Sequence, residues 1–135
     1  MIKFKFVTKF LRNMNKNLAI TSFLGALTIV LGAFGAHALQ ETLTINELKS
    51  FETAVRYQMY HVIALLIVNM YSKLNIKTKN TISYLFFAGI FFFSGSIYAI
   101  TLGVSAKSIW FITPLGGLLF ILGWLRMTFF YLKKE

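Results

Sequence analysis

Four apolar segments alternate with short polar segments along this chain. The apolar segments cover residues 18–39, 55–71, 82–102 and 109–132. A helix rises about 1.5 Å per residue, so a segment of about 22 residues reaches about 33 Å and crosses the hydrocarbon core of a bilayer. The pattern predicts an all-α integral membrane four-helix bundle, with a four-transmembrane-helix domain over residues 18–135 that follows a basic N-terminal flank, residues 1–17.

The first apolar segment has an alternative interpretation as a signal peptide. Ala36, His37 and Ala38 resemble an A-x-A cleavage site, and a basic segment precedes them. The apolar part of a signal peptide is about 7–15 residues long. This segment is longer and three further apolar segments follow it, so we interpret it as a retained transmembrane helix.

Two local patterns predict where helices begin. Thr44 and Glu47 have the T-x-x-E spacing of a capping box, which starts the second helix at about Asn46, before it enters the membrane. Thr113 as the N-cap and Pro114 as the first helical residue are typical of the start of a helix, here the fourth.

Composition and charge agree with a membrane protein. The chain is 57% hydrophobic and 13% charged, whereas soluble domains carry about 25% charged residues. It has no cysteine, which excludes disulfides, thiolate catalysis and Cys-ligated metal sites. The net charge of +10 comes from clusters between the apolar segments, which favours attraction to anionic lipid head groups over nucleic-acid binding.

The distribution of Lys and Arg predicts the orientation. If the N-terminus is inside, the outer segments hold only Lys49, Arg56 and Lys107. Cytoplasmic segments are enriched in Lys and Arg, so both termini are expected in the cytoplasm and the protein in the cytoplasmic membrane. We interpret the basic flank as an orienting segment, with an interfacial segment on anionic lipid as the alternative. The inner segments hold ten cations: Lys3, Lys5, Lys9, Arg12, Lys16, Lys73, Lys77, Lys79, Lys133 and Lys134.

Small residues predict the faces through which the helices pack. Helices in lipid approach most closely where Gly and Ala lie on one face. Such faces occur on the first, third and fourth helices, and the predicted packing residues are Gly25, Gly32, Ala36, Gly95, Ala99, Gly116 and Gly117.

Polar side chains on the second helix predict a cluster inside the bundle. Gln58, His61 and Asn69 fall on one helical face, and polar groups at membrane depth usually face the protein interior. His37 ends the first helix at the outer side, and a short outer loop joins the two helices. We therefore predict a polar cluster of His37, Gln58 and His61 at the outer end, with Arg56 nearby.

Four motifs together resemble a known family. LGAFGAHAL, ETAVRYQMYH, FFFSGSIYA and ITPLGGLLFILGW occur in this order, and they are similar to the small four-helix membrane proteins of unknown function typified by bacterial YgdD and YwdK. The resemblance covers residues 18–132 and implies four transmembrane helices in the cytoplasmic membrane. It supplies no catalytic residues.

The favoured function is non-enzymatic: packing, assembly or an accessory role, with a homo-oligomer or another membrane protein as the partner. No catalytic set, metal site or cofactor is predicted. One alternative is transport of a small solute or ion along a polar path. Another is a metal or haem site on the two histidines. Residues proposed for the polar path are Gln58, His61, Asn69, Ser94, Ser96 and Thr101.

Overall fold

The structure, a computed structural model, describes the backbone of residues 2–133 and the side chains of residues 16–133. Within that range the chain is helical and has no strand, which confirms the all-α bundle. Residues 76–101 form one continuous helix made of α3, a π-helical turn (Ile90–Ser94) and α4. The α-helices are α1 (Ile2–His37), α2 (Ile45–Met70), α3 (Ile76–Gly89), α4 (Gly95–Thr101), α5 (Ala106–Ile109) and α6 (Ile112–Leu132).

Within the described part of the chain, three segments are long and apolar enough to cross a membrane: Lys16–His37, Ile76–Thr101 and Ala106–Leu132. α2 has 26 residues but is not among them, because polar residues such as Arg56, Gln58 and His61 lower its apolarity. It is nevertheless the inner helix of the bundle. The predicted membrane span over residues 55–71 stays a prediction.

α2 and the continuous 76–101 helix form the middle of the molecule. α1 packs mainly on α2, and α6 packs on α3 and the π-helical turn. The apolar core between these helices includes Leu65, Ile82, Phe86 and Phe120, each at most 5% exposed. The polar face of α2 therefore lies against α1, the continuous 76–101 helix and α6.

The backbone of α1 is helical from Ile2, so the basic flank continues into the first helix. The predicted role of the flank rests on side chains before residue 16, which lie outside the described residues. The two interpretations of residues 1–17, an orienting flank and an interfacial segment, therefore stay predictions.

Side-chain caps fix the starts of α2 and α3. The capping box is confirmed: Thr44 accepts from the Glu47 amide, and the Glu47 carboxylate accepts from the Thr44 amide at 2.8 Å. At the next helix, Asn75 accepts from the Thr78 amide at 2.9 Å. α3 therefore begins at Ile76, six residues before the predicted apolar segment that starts at Ile82.

The predicted N-cap of the fourth helix is wrong. α6 begins at Ile112, and Phe111 occupies the N-cap position without a side-chain hydrogen bond. Thr113 lies inside the first turn, where its hydroxyl is 2.6 Å from that of Ser96 and joins α6 to α4. Pro114 stays within the first turn, where a missing N–H leaves no intrahelical bond unmade.

α6 crosses the π-helical turn at Gly116. A Cβ atom at Gly116 would lie 2.2 Å from the backbone nitrogen of Phe93, so only glycine permits this approach. A Cβ at the adjacent Gly117 would lie 3.9 Å from the Phe93 ring, and one at Gly95 would lie 4.0 Å from the Ile90 carbonyl, both ordinary contacts. Of these three predicted packing residues, only Gly116 lies at a close contact.

The α1–α2 seam uses two of the predicted residues. A Cβ at Gly25 would lie 3.3 Å from Val62, and one at Gly32 would lie 3.5 Å from Val55. Ala36 is exposed and Ala99, on α4, is half-buried. Gly35, which was not predicted, packs against the ring of Phe51. The contact face of α1 therefore includes Gly35 and not Ala36.

Two threonines of α1 also lie in the interior of the bundle. Thr21 is 0% exposed and Thr28 is 2% exposed, although both carry hydroxyls. Thr21 donates to the Asn17 carbonyl at 2.7 Å, and Thr28 donates to the Leu24 carbonyl at 2.6 Å. Since each hydroxyl is satisfied by its own helix, each side chain packs in the interior as a small apolar residue does.

Candidate functional site

Three asparagines join α1, α2 and α3 where the N-terminal part of α1 meets the α2–α3 connection. The Asn17 amide donates to Asn69 Oδ1 at 3.0 Å and to Asn80 Oδ1 at 3.1 Å. Asn69, 0% exposed, donates in turn to Ser83 Oγ at 2.8 Å and to the Leu65 carbonyl at 2.9 Å. We call Asn17, Asn69, Asn80 and Ser83 the amide cluster.

A buried lysine adjoins the amide cluster. Lys79 is 2% exposed, and its ammonium donates to the backbone carbonyl of Asn69 at 2.8 Å. The last carbonyls of a helix have no intrahelical partner and carry partial negative charge. The cation of α3 therefore caps the C-terminal end of α2, which ties the two helices together across their short connection.

His61 lies at the second polar contact of the interior, between α2 and α6. It is 4% exposed, and its ring stacks on Phe120 with 3.5 Å between the ring centroids. His61 Nδ1 lies 2.8 Å from the Tyr57 carbonyl, and the Trp124 indole donates to Nε2 at 3.2 Å. A carbonyl only accepts and an indole N–H only donates, so this geometry assigns the neutral tautomer with the proton on Nδ1.

This tautomer bears on the histidine-site alternative. A metal or haem iron binds a ring-nitrogen lone pair, and in this tautomer the lone pair is on Nε2, which accepts from Trp124. Ligation by His61 therefore requires that Trp124 turn away. Among the described residues no group of three His, Asp or Glu side chains is placed to hold a metal ion.

His37 does not reach His61. It is exposed at the end of α1, whereas the Gly25–Val62 contact places His61 beside the middle of that helix. Twelve residues separate Gly25 from His37, which is about 18 Å along a helix. The predicted approach of the two histidines is wrong, because antiparallel packing pairs the end of α1 with the start of α2.

Arg56 is exposed on α2, away from the interior face. Its guanidinium donates to Thr53 Oγ1 at 3.4 Å, a long contact on the same helix. The structure therefore leaves Arg56 outside the polar cluster near which it was predicted.

Gln58 is the third buried polar residue of α2 and links three helices. It is 2% exposed, donates to the Leu24 carbonyl of α1 at 3.3 Å and accepts from the Tyr98 hydroxyl of α4 at 3.0 Å. The inward orientation predicted for Gln58, His61 and Asn69 is confirmed. Gln58 and His61 nevertheless contact different helices, so they do not form one binding site.

The residues proposed for a polar path are engaged within the bundle. Ser94 donates to the Ala54 carbonyl at 2.8 Å, and Thr101 donates to the Ile97 and Tyr98 carbonyls of its own helix. Across the described part of the chain, every buried side-chain nitrogen or oxygen has a hydrogen-bond partner. The interior polar groups therefore act as cross-links between and within helices.

An open groove of about 480 Å³ lies on the side of the bundle, between α2 and α6. One wall carries Tyr57 and His61, and Pro114 and Gly117 lie on the other. Its lining is almost entirely apolar. The remaining lining residues are Phe93, Leu118, Phe120, Ile121 and Trp124.

Sequence reasoning missed several residues of these contacts. Asn17 and Asn80 flank apolar segments. The predicted topology places both at the same end of the bundle as Asn69, and this was a signal that could have been used. Tyr98 and Trp124 gave no such signal, because aromatic residues are common throughout this chain. Lys79 was counted among the cations of the inner segments, and its burial against the C-terminal end of α2 was not predicted.

Comparison with known proteins identifies one family of membrane proteins of unknown function. The family described as "Protein of unknown function (DUF423)" matches residues 31–117. A UPF0382 membrane protein of Staphylococcus aureus is 45% identical over 108 residues, covering 77% of this chain and 88% of that protein. One from Haemophilus influenzae is 36% identical over 121 residues, covering 90% and 97%. UPF0382 membrane protein YwdK of Bacillus subtilis is 40% identical over 103 residues, covering 75% and 83%. No solved structure matches the chain.

Proposed function

Because the chain belongs to the DUF423 family and its relatives are membrane proteins, we propose that it is a non-enzymatic assembly protein of a bacterial cytoplasmic membrane. Both termini face the cytoplasm in this proposal. The excess of Lys and Arg in the inner segments supports that orientation. It also supports contact between the basic end of the bundle and anionic lipid head groups.

One observation carries the proposal of a non-enzymatic role. The buried polar side chains of the described residues are all satisfied by other protein groups. Catalytic and transport sites need polar groups that are available to a substrate. Here Gln58 is hydrogen-bonded to α1 and α4. Both ring nitrogens of His61 are also engaged, one by Tyr57 of its own helix and the other by Trp124 of α6.

The α2–α6 groove is the surface that supports an assembly role. Glycine and proline line its α6 wall, so the backbone of another helix can approach there closely. Its aromatic wall offers large contact areas that lose little side-chain entropy on binding. The proposed partner is a transmembrane helix of a second copy or of another membrane protein.

Site-specific photo-crosslinking tests this role. A photoreactive phenylalanine analogue is placed at Leu118, which lines the groove and is 50% exposed. The matched control is Leu122, one turn further along α6, 43% exposed and outside the groove. We expect protein adducts from Leu118 and lipid adducts from Leu122 when intact membranes are irradiated. Lipid adducts from both positions would contradict the proposal.

A further inference from the structure

A second cavity, of about 630 Å³, opens at the basic end of the bundle between the start of α3 and the last turns of α6. Its walls combine cationic, polar and aromatic side chains, and none of them is acidic. The lining residues are Asn75, Thr78, Arg126, Phe129, Phe130 and Lys133. We call this cavity the basic cavity.

Arg126 is a cation within a membrane-crossing segment, and no acidic side chain of the described residues lines its cavity. The guanidinium has five N–H donors, and among the described residues its hydrogen bond is to Thr78 Oγ1 at 2.9 Å. Glu47 and Glu52 lie in the first turns of α2, and Glu41 precedes that helix, so all three lie far from the α2–α3 connection. Glu135 lies outside the described residues. A charge at membrane depth usually has a partner of opposite sign.

Two further groups point to an anionic ligand. Lys133, the C-cap residue of α6, follows Arg126 by seven residues, or about two helical turns, and both cations line the cavity. Asn75 uses its Oδ1 to cap α3, which leaves its Nδ2 as a donor. The cavity thus holds two positive charges and an amide donor, while Phe129 and Phe130 supply apolar contact for an acyl chain.

From this arrangement we propose that the basic cavity binds the phosphate of an anionic phospholipid head group. Arg126 forms the forked hydrogen bonds that guanidinium makes with phosphate, and Lys133 contributes a second charge. The inner end of a transmembrane helix lies at head-group level, where lipid phosphates are abundant. The inference deepens the proposed contact with anionic lipid, rests on it, and is independent of the assembly role.

Lipid retention by the purified full-length protein tests the site. The protein in neutral detergent is incubated with an equimolar mixture of phosphatidylglycerol and phosphatidylcholine, and the retained lipids are counted by native mass spectrometry. We expect preferential retention of phosphatidylglycerol, which falls about tenfold in Arg126→Gln, as loss of a charge-assisted hydrogen bond predicts. Lys133→Gln, whose side chain has no hydrogen bond among the described residues, is expected to show a smaller fall without loss of fold.

Two controls make the result decisive. Lys107→Gln removes one positive charge from the opposite side of the bundle and is expected to retain phosphatidylglycerol as the unaltered protein does. An equal fall in Lys107→Gln, or no preference for phosphatidylglycerol in the unaltered protein, would overturn the proposed site. Displacement of the lipid by added inorganic phosphate would overturn the lipid as the ligand. Lipid retention is measured on the purified protein in detergent, whereas the crosslinking test uses intact membranes. A negative retention result is therefore distinguishable from a failed crosslink or an inverted orientation.

Discussion

Asn69 connects three helices through one side chain and one carbonyl. Its side chain accepts from Asn17 of α1 and donates to Ser83 of α3, while its carbonyl accepts from Lys79. The helical pattern predicted that Asn69 faces inward. It did not predict the partners, because partner choice depends on how far each helix is shifted along its neighbours, and the sequence contains no direct record of those shifts.

We predict that Asn69→Leu destabilises the protein by about 1–3 kcal/mol, because the substitution removes two interhelical hydrogen bonds and leaves Asn17 and Ser83 short of partners. Unfolding in mixed micelles with increasing dodecyl sulfate measures the change. Asn46→Leu, at the exposed start of α2, is the control and should change stability by less than about 0.5 kcal/mol. Equal stability of the two variants would show that the amide cluster contributes little.

At the scale of elements, the closest helix–helix approach gives a matched pair of variants. We predict that Gly116→Ala costs about 1–3 kcal/mol, since a Cβ there would lie 2.2 Å from the Phe93 nitrogen and the backbone must shift. Gly117→Ala should be nearly neutral, because its nearest neighbour is at 3.9 Å. The same micelle unfolding assay compares them. Equal losses in both variants would contradict this explanation, because helix propensity favours Ala over Gly and cannot by itself cause a loss.

The capping box of α2 predicts a pH effect. Hydrogen bonds from the Thr44 side chain and backbone lower the pKa of Glu47 below its ordinary value. A lowered folded-state pKa contributes stability above the unfolded pKa of about 4.3, and this contribution is lost as the pH falls through the folded-state value. Glu47 precedes the apolar part of α2 and is exposed, so the effect is local.

We expect the thermal midpoint of the detergent-solubilised protein to fall as the pH drops from neutral to about 3, and Glu47→Gln to reduce that fall. Glutamine keeps the capping geometry but does not titrate. Glu41→Gln, in the exposed α1–α2 connection, is the control and should keep the full pH dependence. If both variants keep it, the capping box does not contribute to it.

For the molecule as a whole, the sequence predicted the all-α fold and the four long helices, because apolar segments of sufficient length are visible directly. Prediction failed where tertiary contacts decide the outcome. Thr113 bonds Ser96 instead of capping α6, and His37 lies far from His61 along the helix axis. Capping by Asn75 extended α3 into residues that look like a polar loop.

Orientation is the whole-molecule prediction that labelling can test. The chain contains no cysteine, so single-cysteine variants need no background removal. We expect a membrane-impermeant maleimide to label Gln40→Cys in intact cells, and to label Ser72→Cys only after the membrane is opened. Both positions are exposed and lie in connections on opposite sides of the bundle. The reverse labelling pattern would invert the proposed topology.

The π-helical turn changes what a deletion does to this chain. Its Gly95 amide bonds the Ile90 carbonyl five residues earlier, one residue more than an α-helical turn requires. Removing one residue from this turn would restore a regular helix and leave the residues after it in phase. Tyr98 would still face Gln58, and Ser96 would still face Thr113. Removing one residue from the regular helix α3 would instead rotate one part of the helix against the other by about 100°. In genetic terms, a one-codon deletion should be tolerated in the turn and disruptive in α3.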